Sequence, residues 1–179
     1  MEDGEITISR ASGTLTAPAE FILVGAMNPC KCGWYGHPSG RCSCALPSVE
    51  LYRSRVSGPL MDRVDLRVSV PATEYTDLVS SEPGETSSVI RHRVEAARER
   101  QRARLGVTAC NGRMTGPQTR EHCPLDAAGQ ALMEQAFARL GLTGRSYDRL
   151  LRISRTIADL AGVGQIGVSH LSEALQFRG

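Results

Sequence analysis

Four of the six cysteines lie between residues 30 and 44, as two C-x-C pairs, Cys30/Cys32 and Cys42/Cys44, separated by nine residues. Four thiolates are enough to close a tetrahedral structural Zn2+ site, and a site closed by four protein ligands keeps no open position for catalysis. Gly33, Gly36 and Gly40 allow the intervening backbone to fold around an ion, and His37 is a reserve ligand. C-x-C is less typical of zinc than C-x2-C, so four unliganded or oxidised thiols are the competing reading. Cys110 and Cys123 stand apart and read as ordinary free thiols.

Three further polar residues occupy positions where chemistry is plausible. Asn28 follows the apolar run Phe21 to Met27, and the carboxyl end of a buried parallel strand is where open α/β sheets bind ligands. A turn residue before Pro29 is the plainer reading. Arg63, after Gly58-Pro59, projects from a loop that can reach a neighbouring subunit's phosphate, or it is a salt-bridged surface residue. Arg145 falls in the first turn of an expected helix, where the helix dipole disfavours a cation. It has either a functional reason to be there or simple solvation. The segment 88–104 carries Arg91, Arg93, Arg98, Arg100, Arg102 and Arg104 with Glu95 and Glu99. Such a helix can track a phosphate backbone or present a solvated face of paired charges. No G-x-x-x-x-G-K-[ST] phosphate loop and no apolar run ending in Asp-Glu occurs in the sequence.

These residues must be positioned by a modest chain of 179 residues, 41% hydrophobic and 22% charged, with a formal net charge of +2. That charge does not demand a nucleic-acid partner, and a single Trp and three Phe leave few stacking platforms. Lys31 is the one Lys among 21 basic residues, a bias that a GC-rich genome produces by itself. No run approaches the about 18 apolar residues of a membrane span. The acidic start Met1 to Glu5 lacks the basic and apolar regions of a signal peptide. The expectation is a cytoplasmic protein with no membrane partner, where clustered cysteines more often hold metal than form disulfides.

Alternation predicts an exposed β-hairpin over 5–10 and 14–16 around Ser12-Gly13. The continuous apolar run 20–27 predicts a buried parallel strand, and the alternation of Val64, Leu66, Val68 and Val70 predicts a second. A helix is expected over about 48–56, capped by Ser48. Residues 73–86, with Pro83-Gly84, read as a linker. Helices are then expected over 88–104 behind Ser87, from 124–126 to 140 with Ala131, Leu132, Ala136 and Leu140 buried, over 144–161, and over 170–177 behind Ser169. Residues 107–122 read as loop with at most a short helix. The organisation is therefore an α/β part at 1–72, with the Cys loop at 28–46, and a helical bundle at 87–179. Two sheet strands are too few for an independent α/β domain.

Several stretches resemble the magnesium-chelatase-like AAA+ ATPase family of the competence-protein ComM type, in its C-terminal half. They are Glu2 to Ala11, Ala26-Met27-Asn28-Pro29-Cys30-x-Cys32-Gly33, Ser57 to Leu66, Arg152 to Leu160, and His170 to Arg178. Lys31 replaces the Pro usual between the first two cysteines and leaves the ligands intact. The resemblance implies an α/β remnant of an AAA+ core followed by an all-α helical lid. It implies Asn28 as sensor 1, Arg63 as an arginine finger acting in trans, and Arg145 as sensor 2 reaching ATP. It also implies a homo-oligomeric ring, commonly a hexamer, acting on DNA in branch migration during natural transformation. The family's phosphate loop and Mg2+-binding Asp-Glu lie before the matched stretches. ATP and Mg2+ are therefore expected in a full-length parent only, and the chain is expected not to hydrolyse ATP alone, whether it is a fragment, a truncated product or half of a split protein. Chelatase subunits that insert Mg2+ into a porphyrin lack the cysteine loop, so the loop favours the ComM-type branch. Alternatives are a magnesium-chelatase subunit of tetrapyrrole synthesis and a non-enzymatic zinc-containing module that binds nucleic acid or protein.

Overall fold

Thr7 and Thr16 face each other across a two-stranded ladder, their hydroxyls 3.1 Å apart, and Ser9 and Thr14 repeat the contact at 3.2 Å. These pairs set the register of β1 (Glu5–Arg10) against β2 (Gly13–Pro18), antiparallel from Glu5↔Pro18 to Arg10↔Gly13. The hairpin is the one expected from alternation, and all its side chains but the half-buried Ala17 are exposed. The computed structural model describes residues 4–61, 63–73, 75, 79 and 84–178. It divides into two compact units, Met1–Val64 and Asp65–Gly179.

In the first unit the Cys loop leads into α1 (Leu46–Arg53). The helix opens two residues before the expected Ser48, because Pro47 supplies a preset φ in the first turn. Val49 is its buried contact. A single turn, α2 (Gly58–Met61), precedes Arg63. The strands expected at 20–27 and 64–70 are not formed, and among the described residues β1 and β2 are the only pair of strands. Ile22 and Val24 stay 91% and 87% exposed. A strand exists only where a neighbour's N–H and C=O groups satisfy its own. Run 64–70 makes one such bond, from Arg67 N–H to Phe177 C=O at 2.8 Å, and neither run has a ladder of them among the described residues; apolar sequence cannot substitute for that pairing.

The second unit is helical: α3 (Ser87–Leu105), a 3-10 turn (Asn111–Arg113), α4 (Gly116–His122), α5 (Ala127–Leu140), α6 (Gly144–Leu160) and α7 (Val168–Gln176). Each main helix has an identifiable start. The Thr86 hydroxyl, rather than Ser87, accepts from Val89 N–H. Asp126 accepts from Gly129 N–H at 2.7 Å, Thr143 accepts from Ser146 N–H at 3.2 Å, and Gly167 N–H donates to His170 Nδ1 at 2.9 Å. Residues 107–122, expected as loop with at most a short helix, contain the seven-residue α4, which a Thr115–Gln118 capping box and Pro117 nucleate. Most of the expected 73–86 linker lies outside the described residues.

Helix α6 is the centre of this unit and packs against α3, α4, α7 and the 3-10 turn. Leu150, Leu151 and Ala158 join Met133, Ala136, Leu171 and Ala174 in one apolar core, each fully buried Leu contributing about 1.5–3 kcal/mol. The buried stripe of α5 is Gly129, Met133 and Ala136; of the expected residues Ala136 is buried and Leu132 packs against the core, while Ala131 and Leu140 are exposed. A Cβ at Gly129 would meet Leu171 Cδ1 at 3.2 Å, so the missing side chain admits α7 and rotates the buried face toward it. The buried face of α6 also carries polar residues, Ser154, Arg155 and Asp159.

Candidate functional site

The two C-x-C pairs converge. The sulfurs of Cys30 and Cys32 are 3.3 Å apart, Cys30 and Cys42 3.8 Å, and Cys32 and Cys42 3.6 Å. With Cys44, all four ligand atoms lie within 4.8 Å of one another. Tetrahedral zinc with Zn–S of about 2.3 Å needs sulfurs about 3.8 Å apart, so the set fits that ion with small adjustments. Turn hydrogen bonds build the loop: Gly33 N–H donates to Cys30 C=O, His37 N–H to Trp34 C=O, and Gly40 N–H to His37 C=O. Gly33, Gly36 and Gly40 take φ of 81°, 81° and 65° in these turns, a region open to glycine at no steric cost.

Cys30 is fully buried and the other three are half-buried. Burial opposes ionisation of Cys30, but hydrogen bonds from the Cys32 thiol, the Tyr35 and Cys32 backbones and the Cys42 thiol bring it down to about 6. Cys42 goes the other way, to about 11. A bond from the Cys44 backbone favours its thiolate but is outweighed by burial and the Cys32 and Cys30 sulfurs. Four sulfurs this close cannot all ionise without a cation between them. His37, the reserve ligand, stays outside the cluster, and its Nδ1 accepts from Ser39 N–H at 3.0 Å.

Arg53 on α1 braces the loop. Its Nε–H donates to Pro29 C=O at 3.2 Å and its guanidinium lies 5.0 Å over the Tyr35 ring. Arg41 sits 5.2 Å over the Trp34 ring, which meets His37 edge-on at 4.9 Å. Sequence reasoning missed these arginine–aromatic pairs; the available signal was that Trp34, Tyr35 and Arg41 interleave with the ligands.

Asn28 is exposed, one residue before the Pro29 carbonyl that Arg53 holds. Arg63 is exposed and donates from Nη1 to Pro59 C=O at 3.1 Å. Both belong to the first unit, whereas Arg145 lies in the second, exposed in the first turn of α6. On α3, five of the six arginines are engaged within the protein. Arg93 pairs with Glu85, Arg102 with Glu99, Arg104 with Asp159, Arg98 donates to Gln101, and Arg100 donates to the carbonyls of Ala96 and Asp159. The paired reading of this helix holds in part: Arg102 pairs with Glu99 on the solvated face, whereas Arg98 donates to Gln101 and Arg104 turns inward to Asp159.

The second unit also holds a charged hub. Asp159, with no exposed surface, accepts from Arg104 at 2.6 and 3.1 Å, from Asn111 Nδ2 at 2.7 Å and from Arg155 at 3.2 Å. Arg155, 1% exposed, also donates to the carbonyls of Gly164 and Val163 at 2.7 Å each. This hub ties α3, the 3-10 turn and the loop after α6 to one carboxylate.

Comparison with known proteins places these features in a family. Residues 1–78 match the model described as magnesium chelatase, subunit ChlI, and residues 84–178 match that of its C-terminal part. The chain belongs to the magnesium chelatase subunit ChlI family. It is 40% identical to the competence protein ComM of Haemophilus influenzae over 179 residues, 99% of this chain and 34% of that protein. It is 38% identical to YifB of Escherichia coli and to an uncharacterized protein of Mycobacterium tuberculosis, each over 180 residues. The chain thus spans about a third of the length of the curated relatives it matches. Among the described residues no helix is long and apolar enough to cross a membrane.

Proposed function

We propose that this chain is the sensor- and lid-bearing portion of a ComM-type AAA+ ATPase. Residues 1–72 contribute the end of the nucleotide-binding core and 87–179 the helical lid. Asn28 orients the attacking water, Arg63 acts on ATP held by an adjacent subunit of a ring, commonly a hexamer, and Arg145 contacts ATP from the lid. The apolar runs 20–27 and 64–70, exposed here, take their places as strands in the sheet of the complete core. The substrate is DNA, the compartment the cytoplasm, and ATP and Mg2+ are bound by the complete protein. The observation that carries the reading is the match to the competence protein ComM along 99% of the chain. Cys30, Cys32, Cys42 and Cys44 hold a structural Zn2+ that stiffens the loop after Asn28 and contributes no step to hydrolysis.

ATP turnover tests the assignment. The chain alone is expected to show none. In the complete ATPase, Arg63→Ala removes an arginine finger and lowers turnover by about 10^3-fold or more. Mixing Arg63→Ala subunits with Asn28→Ala subunits restores part of the activity, because an intact finger then meets an intact sensor across an interface. Turnover by the isolated chain that Asn28→Ala abolishes, or no recovery on mixing, would refute the reading.

A further inference from the structure

We propose that the Cys loop is a binding surface for single-stranded nucleic acid, with Trp34 as the stacking platform and Lys31 and Arg41 as phosphate contacts. The inference rests on the nucleic-acid part of the proposed function and assigns it to a particular surface. Trp34 is the only tryptophan in the chain, and it stands 38% exposed on a turn between the ligand pairs. An exposed indole held in place by its own loop offers a π-face that every base can use, and stacking of this kind does not depend on sequence.

The charge around it has the right sign. Residues 21–49 contain no Asp or Glu, while Lys31 and Arg41 are exposed in the same loop and Arg53 braces it from α1. A metal held by four thiolates carries a formal charge of about −2, so the cationic margin is narrow and few phosphates are contacted. Arg41 lies 5.2 Å over the Trp34 ring, where a guanidinium serves both cation–π contact and a strand's backbone. Duplex is a poor fit, since its bases are already stacked and have no face to offer an indole. The alternative surface, α3, has five of its six arginines engaged by its own side chains and carbonyls. The loop is therefore the better site although its charge count is lower.

Because Trp34 is the sole tryptophan, its fluorescence reads the site directly. The zinc-loaded chain is titrated at low salt with oligothymidylate, the matching oligouridylate and a duplex of equal length, with anisotropy of the labelled strand as a second readout. Expected are saturable quenching of Trp34 by the single strands, weaker binding of duplex, and a salt slope of about −1.4 for two phosphate contacts. Trp34→Ala is expected to weaken binding about tenfold, from the usual worth of one stacked base, with Trp34→Phe restoring most of it. Arg41→Ala and Lys31→Ala each lower the salt slope by about 0.7. Zinc content checks folding of the loop, and if Trp34→Ala fails to hold metal, the Arg41→Ala slope decides. Unchanged binding by Trp34→Ala, emission that does not move at saturation, or no binding of any single strand would overturn the inference. The first two outcomes leave DNA as a substrate of the complete ATPase, and failure of the ATPase assignment leaves the titration unaffected.

Discussion

Replacing Asp159 with Ala should destabilise the helical unit by about 3–5 kcal/mol. The carboxylate has no exposed surface and receives Arg104, Asn111 and Arg155. Deleting it leaves the Arg155 guanidinium, 1% exposed, without a counter-charge, and breaking a buried pair from one side costs about 3–5 kcal/mol. The Val163 and Gly164 carbonyls retain their bonds to Arg155, which holds the cost within that range. Asn111 also loses its 2.7 Å bond, but neighbouring losses do not add. A unit of this size is stable by about 5–15 kcal/mol, so the variant should unfold at a much lower urea concentration with an unchanged slope. Circular dichroism at 222 nm follows this unit because the helices are concentrated in it. The partner experiment is Asp159→Leu with Arg155→Met, which removes the fully buried pair and leaves Arg104, 19% exposed, without its carboxylate; it should recover part of the loss, since an apolar pair of similar volume is near neutral. A loss under about 1 kcal/mol for Asp159→Ala, or no recovery in the double variant, would refute the buried-charge account.

Three further predictions follow from the same geometry. Burial alone would raise the Asp159 pKa, but hydrogen bonds from Arg104 and Asn111 and the Arg155 and Arg104 charges hold it below the usual range. A depressed carboxyl stabilises fully above its unfolded pKa of about 3.9 and loses that contribution as pH falls through the folded value. The urea midpoint should therefore decline below about pH 4, with the Asp159 share of that decline missing in Asp159→Asn. Gly162 has φ of +78° and a Cβ there would lie 3.2 Å from Arg100 Nη2, so Gly162→Ala should cost about 1–2 kcal/mol in urea unfolding. Arg100→Ala in the same chain should not restore it, because the backbone strain remains. Purified under reducing conditions, the chain should carry about one equivalent of zinc. Cys30→Ser or Cys42→Ser should drop it below about half, and chelation should leave the 222 nm signal of the helical unit intact.

Residue types and spacing located the cysteine cluster, the hairpin and the main helices of the second unit, because those depend on local causes. Two C-x-C pairs on a Gly-rich loop have few ways to avoid one another, alternation of period two specifies a ribbon, and Thr, Asp and Gly at helix ends act within a turn of where they stand. The apolar runs at 20–27 and 64–70 show where that logic stops. Their composition reads as strand, but a strand needs a ladder of hydrogen bonds with another segment, and among the described residues the single Arg67–Phe177 backbone bond does not make one.

Tertiary structure alone decided the rest. The α3 sequence is compatible with a phosphate-tracking stripe, and only the placement of Glu85, Asp159 and two carbonyls shows that its charges are used internally. The pattern of α6 marks Leu150 and Ala158 as core, but not that Arg155 and Asp159 share that face and are buried as a pair. Burying a charge is favourable only when distant groups arrive to satisfy it, and Asn111 comes from a different segment of the chain. The arginine–aromatic pairs around the metal loop have the same origin, since Arg53 reaches back to Pro29, 24 positions earlier in the chain. The sequence by itself determined the hairpin, the main helices and which sulfurs gather; whether an apolar run becomes a strand, and which charges are spent inside the protein, was set by pairing and packing.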